Sequence, residues 1–267
     1  MSVLRRHSVV AFFLLAYALS WAPLPWGSFF APGVLVAALI VVSATEGWAG
    51  LRAMSARLIR WRVSWVWYAL ALAVPLAVTF SALGLNTALG APAPHVAELD
   101  VWYSIPMAIA INIVNPLNAQ LPVESSFRGW AQPRVQRGRT PLAATALMAV
   151  GVTIWHLPLF FLPQFGSSPI EALATVAVTF WYAWLFNHAA GSALHTLIAH
   201  ATEGVIETST LWPGAAETAR MTWLYSLVWG LLALILLVFD RSFWTAAPVP
   251  EHERDSSSGM AASGPRR

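Results

Sequence analysis

Cysteine is absent from all 267 residues, and so is lysine: the 15 basic residues are all arginine. Without thiols, a disulfide framework and a thiolate metal site are both excluded. Charge is scarce as well, at 10% of residues against about 25% in a typical soluble domain, which excludes an ordinary globular enzyme in water. What fills the chain instead is apolar: 58% of residues are hydrophobic and the mean hydropathy is +0.62. At roughly 20 residues per spanning helix this content supports seven or eight spans. The 18 Pro, 16 Gly and 15 Trp agree, because spanning helices tolerate Pro and Gly and because Trp settles at the lipid–water interface. There is no internal repeat, no glycine-rich phosphate loop and no soluble second domain.

Apolar runs cover 8–26, 30–47, 63–84, 101–122, 141–163, 170–187, 190–207 and 220–240. They predict an all-α fold, a polytopic membrane helix bundle of about eight transmembrane helices with a polar intramembrane cavity. With the N-terminus inside, 14 of the 15 Arg fall on the cytoplasmic side and Arg220 alone falls outside, as the positive-inside rule requires. The net charge of +3 and the pI near 9.8 therefore write topology. The expected partner of the basic residues is the lipid bilayer with its anionic headgroups, and no nucleic acid is expected. The chain reads as a multi-pass protein of the cell membrane with both termini cytoplasmic. Arg5-Arg6 before an apolar run, with Ala16-Tyr17-Ala18 in the small-x-small form of a cleavage site, imitates a signal peptide; the run continues to Trp26, which predicts an uncleaved first helix. Residues 1–246 read as one membrane-embedded domain with its motif-bearing core at about 101–210. Residues 247–267, rich in Pro, Ser, Gly and charge, read as a disordered cytoplasmic tail.

Ionisable groups inside spans cost several kcal/mol unless partnered or wetted, which makes each a functional candidate. Glu124 and Arg128 stand at i and i+4 if helix resumes after Pro122, so they can pair; the plain alternative is an interfacial anchor. His156 lies deep in its run, where an imidazole is a structural hydrogen-bonder, a base or a ligand. His200, Glu203 and Glu207 stand at i, i+3 and i+7 on one helical face, although Glu207 and Glu203 also fit an outer mouth. His188 fits an interfacial role, and His195, about 140° around the helix from His200, faces elsewhere. At 1.5 Å per residue His156 is about 22 Å and His200 about 15 Å into their spans, whereas Glu124 falls at a boundary. For the three to meet, the helix bearing Glu124 must stay buried past Pro122. Asn112, Asn115, Pro116, Asn118 and Gln120 predict a polar, broken, cavity-lining segment there.

Taken together, Val123-Glu124-Ser125-Ser126-Phe127-Arg128-Gly129, then Trp155-His156-Leu157-Pro158, then Gly191-Ser192 ahead of His200 resemble the CPBP intramembrane proteases. This family, also called the CAAX protease and bacteriocin-processing or Abi family, includes the type II CAAX prenyl endopeptidases. Its motifs are Glu-Glu-x-x-x-Arg, Phe-x-x-x-His and His-x-x-x-Asn or Asp, and the resemblance runs over roughly residues 10–240. It implies a hydrolase with a cytoplasm-facing cavity, in which Glu124 and His156 activate water, Arg128 positions Glu124, and His200 stabilises the oxyanion. A divalent metal such as zinc on Glu124, His156 and His200 is one form of this chemistry, and metal-independent water activation is the other. The implied substrate is a membrane-associated peptide or protein, of which a prenylated CAAX type is one kind. Two positions depart from the motifs. Val123 replaces the first Glu, and Gly204 replaces the Asn, with Glu203 beside it as a substitute donor or ligand. These departures keep open a catalytically impaired membrane scaffold or binding protein. A transporter with a His/Glu proton relay is a third reading, against which the missing repeat symmetry counts.

Overall fold

The computed structural model describes residues 3–162, 165, 167–206, 208 and 211–248, the side chains of Val3 and Glu98 excepted. Among them no strand occurs, and the elements are helices throughout: α1 (Val3–Arg6), α2 (Ser8–Trp21), α3 (Gly33–Leu58), α4 (Trp65–Ala88), α5 (Ser104–Val114), α6 (Gln120–Ser126), α7 (Gln132–Val135), α8 (Pro141–Phe161), α9 (Glu171–His188), α10 (Ala193–Glu203), α11 (Ala215–Phe239) and α12 (Arg241–Trp244). Both the predicted tail beyond Pro248 and Glu207 lie outside the described residues.

Among the described residues five stretches are long and apolar enough to cross a membrane: Ser8–Trp26, Gly33–Leu58, Trp65–Ala88, Pro141–Phe161 and Ala215–Phe239. The expected count of eight is not reached, for identifiable reasons. The run at 101–122 is split, because α5 stops at Val114 before Asn115-Pro116, and Pro clashes with continued helix on its N-terminal side. The run at 190–207 yields only the 11 residues of α10. The run at 170–187 does form the 18-residue α9, but Glu171, two Thr, Tyr182 and the Asn187-His188 end dilute its apolar character. The outer surfaces of the long helices carry exposed Leu14, Phe80, Leu147, Leu231 and Val238, and exposed Trp26, Trp61, Trp65 and Trp102 lie at or near helix ends. That pattern fits lipid along the flanks and an aromatic belt at the interfaces.

Three apolar clusters make the core of the described residues, the smallest of them around Leu83, Trp212 and Met221. One joins Phe12, Val34, Val41, Phe127, Trp130, Met148 and Trp155 from α2, α3, the turn after α6, and α8. A second joins Ala71, Val78, Trp181, Leu185, Trp229 and Ala233 from α4, α9 and α11. Since lipid tails are as apolar as Leu, close backbone approach is what holds such helices together. At Gly33 a Cβ would stand 2.8 Å from the Ser20 nitrogen, so α2 and α3 can meet there only through glycine. Polar bonds tie the same region: Trp155 Nε1 donates to Ser20 Oγ at 2.9 Å and Tyr17 Oη to the Gly151 carbonyl at 2.9 Å.

The basic segments gather at one end of the bundle. Arg57 donates to the Gly129 carbonyl at 3.1 Å, Arg60 to the Ala190 carbonyl at 2.8 Å, and Arg134 pairs with Glu46. At the other end Arg220 donates to Asn86 Oδ1 at 2.6 Å. The lone outlier of the arginine count is thus spatially separate as well.

Candidate active site

The chain segment 115–135 sets the site. After α5, three side chains replace the missing helical bonds: Asn118 donates to Asn112 Oδ1 at 2.9 Å, Asn115 to Asn118 Oδ1 at 3.1 Å, and the Leu117 amide to Asn115 Oδ1 at 3.0 Å. Asn112 Nδ2 also reaches the Ala201 carbonyl at 3.2 Å, which ties the break to α10. Helix then resumes at Gln120 and runs buried from Pro122 through Gln132. This is the burial past Pro122 that the depth argument required. Phe127–Ala131 form a π-helical turn, a local widening often found at functional sites, and Arg128 sits in it.

Glu124 is fully buried, and its Oε1 accepts from Arg128 Nη1 at 3.1 Å and from His200 Nδ1 at 3.0 Å. The i,i+4 pair expected from the spacing is present, and α10 contributes its imidazole to the same oxygen. Arg128 is 2% exposed, with its guanidinium carbon 4.8 Å above the Tyr182 ring. A buried carboxylate and guanidinium hold each other there. Removing either partner would leave an uncompensated charge in a low-dielectric interior.

Where α6, α8, α9, α10 and α11 converge lies a cavity of about 330 Å³, lined by Val123, Arg128, His156, Tyr182, His200 and Glu203 among others. On α8, His156 Nδ1 lies 2.8 Å from the Val152 carbonyl. A carbonyl only accepts, so Nδ1 carries the hydrogen and the lone pair of the neutral ring is on Nε2. By the same reasoning His200 gives its Nδ1–H to Glu124, which leaves its Nε2 uncommitted. Glu203, one turn after His200, accepts from Tyr225 Oη at 2.9 Å and from Tyr182 Oη. On α6 Gln120 and Val123 line the cavity and Glu124 does not, as the roughly 100° step between neighbours on a helix dictates for Val123 and Glu124.

Residues 101–206, the stretch that holds this arrangement apart from Tyr225, match the family model described as type II CAAX prenyl endopeptidase Rce1-like. Over that stretch the chain is similar to the Rce1-like endopeptidases. No curated protein matches the chain. The Rce1-like match implies a protease of the CAAX type, and with the apolar helices it describes a multi-pass membrane protein.

Within the stretch that matches the Rce1-like model, His195 stays apart from the cavity. It is buried against the Tyr68 ring with Nδ1 2.8 Å from Ser192 Oγ. His188 pairs with Asp240 at 3.0 Å. Nothing in the sequence singles out Tyr182 or Tyr225. Tyr182 is masked by its aromatic neighbours Phe180 and Trp181, which read as a belt, and Tyr225 lies 22 residues from the carboxylate it serves. Gln120 was seen only as part of a polar break. Its Nε2 would lie 3.2 Å from a Cβ at position 204, so the bare Gly204 leaves room for its amide.

The donor set also bears on a metal. Among the described residues no group of three or more His, Asp or Glu is gathered closely enough to hold one. Glu124 Oε1 is committed to Arg128 and His200, while Glu203 is committed to two tyrosines. These residues do not fit a three-ligand zinc site as they stand, so the chemistry below is written for the side chains alone.

Proposed function

We propose that the chain is an intramembrane endopeptidase that hydrolyses a peptide bond of a membrane-associated substrate, with a prenylated CAAX-type protein as the leading class. The observation that carries this reading is the pair of imidazoles, His156 and His200, lining one cavity from two helices with each Nδ1 committed elsewhere. His156 Nε2 takes a proton from water while the water oxygen attacks the peptide carbonyl carbon and the carbonyl π pair moves onto oxygen. His200, protonated at Nε2 with its ring charge offset by Glu124, donates to that oxyanion. As the tetrahedral intermediate collapses, the C–N bond breaks and the proton held by His156 passes to the leaving nitrogen. Arg128 holds Glu124 in place. Glu203, clamped by its tyrosines, offers the cavity a fixed carboxylate that orients the water. The arginine-rich end is the cytoplasmic one in this reading, with the N-terminus inside and the chain in the cell membrane.

A second reading, a catalytically impaired member acting as a membrane scaffold or binding protein, draws support from Val123. It places an apolar side chain on the cavity wall where the first carboxylate of the motif belongs. One experiment separates the two. Purified full-length protein is incubated with a farnesylated CAAX peptide beside Glu124→Gln, His156→Ala and His200→Ala variants, and bound metal is measured in parallel. Cleavage by the parent, lost by about 10²–10⁴ in the His variants, is expected. Activity unchanged in all three variants would end the protease reading.

A further inference from the structure

A second and larger concavity lies away from the candidate active site, on the outer side of the first helix pair. It is a trench of about 980 Å³ between α2 and α8, with α3 and α7 at one end. Its walls are apolar: Val10 and Leu14 on α2 face Leu147, Val150 and Ile154 on α8. Val10, Leu14, Leu147 and Val150 are each more than half exposed, so the trench opens sideways along the flank that faces lipid. Phe13 and Gly151 form its floor, where a Cβ on Gly151 would stand 2.5 Å from the Phe13 ring. The wall residues from Val10 to Leu14 and from Leu147 to Ile154 run for about 6–10 Å along their helices at 1.5 Å per residue.

The rim at one end is of a different kind. Arg5, Arg6, Arg134, Arg137 and Arg139 stand around it with Glu46 as the single carboxylate. Five arginines and one glutamate leave a formal charge of +4, more than the +3 of the whole chain. Arg134 is paired to Glu46. Among the described residues Arg5, Arg6, Arg137 and Arg139 have no carboxylate partner, and all four are exposed. Arg139 bonds only backbone carbonyls, those of Val135 and Arg137. Among the described residues that charge is therefore not consumed. It sits at the mouth of an apolar trench where a headgroup would meet it, with acyl carbon continuing below.

We propose that this trench is a binding site for one anionic phospholipid, its phosphate held by Arg5, Arg6, Arg137 and Arg139 and an acyl chain laid between α2 and α8. Charge complementarity selects the headgroup, since unpaired arginines near the surface each favour an anionic lipid by about fivefold. The side-opening walls select a chain-bearing ligand over a free anion. The site shares no lining residue with the cavity that holds His156 and His200, so the proposal stands apart from the protease reading.

The test is native mass spectrometry of the full-length protein released from detergent, titrated with phosphatidylglycerol and, separately, phosphatidylcholine. A saturable single phosphatidylglycerol adduct is expected, with phosphatidylcholine at least tenfold weaker. The Arg137→Gln/Arg139→Gln double variant alters only exposed side chains and is expected to lose about 30-fold in phosphatidylglycerol affinity. Leu14→Trp, which fills the trench and leaves the charge untouched, is expected to weaken the adduct as well. Excess inorganic phosphate should not displace the lipid. Equal binding of the two lipids, indifference to both variants, or displacement by inorganic phosphate would each overturn the proposal. Thermal unfolding of each variant at the parent temperature rules out misfolding as the cause of a loss.

Discussion

Glu124 and Glu203 stand on two sides of one site and live in opposite surroundings. Glu124 is sealed from the cavity and shares one oxygen between a buried guanidinium and an imidazole. Glu203 borders the cavity and is held by two neutral hydroxyls from α9 and α11. The sealed carboxylate has charged partners because nothing else could compensate it there. The one that borders the cavity is held by hydrogen bonds from two hydroxyls, which offset part of the cost of burying it. A carboxylate can be a keystone or a reagent, and its neighbours decide which.

The largest effect should fall on the sealed side. Glu124→Gln keeps the shape but leaves Arg128 buried without a counter-charge, so a loss of about 3–5 kcal/mol is expected, read by thermal or denaturant unfolding in detergent. A variant as stable as the parent would mean that Arg128 does not depend on Glu124. Glu203→Gln should behave in the reverse manner, with unfolding near that of the parent and peptide cleavage reduced by about 10². If it unfolds as readily as Glu124→Gln, the contrast between the two sides collapses. Smaller still, Tyr182→Phe and Tyr225→Phe each remove one hydrogen bond to a charged group, worth about 1.5–3 kcal/mol, and should lower cleavage about tenfold or more. Combined with Glu203→Gln neither should add to the loss, and an additive result would detach the tyrosines from that carboxylate. Least of all, His195→Gln, outside the cavity and bonded to Ser192, should cost about 1 kcal/mol of stability with cleavage unchanged. A cleavage defect there would extend the site past its apparent edge.

How far the sequence went differs from residue to residue, and for physical reasons. The i,i+4 spacing of Glu124 and Arg128 is local, so helix geometry alone foretold their contact. The i,i+3 spacing put His200 and Glu203 on one face for the same reason, and the cluster of Asn around Pro116 announced the break between α5 and α6. The two tyrosines on Glu203 left no trace, because contacts across 21 and 22 residues depend on how helices pack. The expected spans at α5, α9 and α10 are not among the five long apolar stretches, because α5 and α10 are short and α9 is diluted by polar residues; short helices wrapped by others need not reach both interfaces.

By itself the sequence determined the membrane setting, the helical class and the list of ionisable residues that any site must use. A chain with 10% charge has few polar groups to bury, and a local period of 3.6 residues fixes which of them share a face. Only the tertiary structure decided which groups meet. It turned Val123 toward the cavity and Glu124 away from it, and it joined Glu124 to His200 across 76 residues. It also set five arginines around the mouth of a lipid-facing trench. Those outcomes depend on helix rotation and crossing, and small residues such as Gly33 at close contacts fix these only once the partner helix is in place.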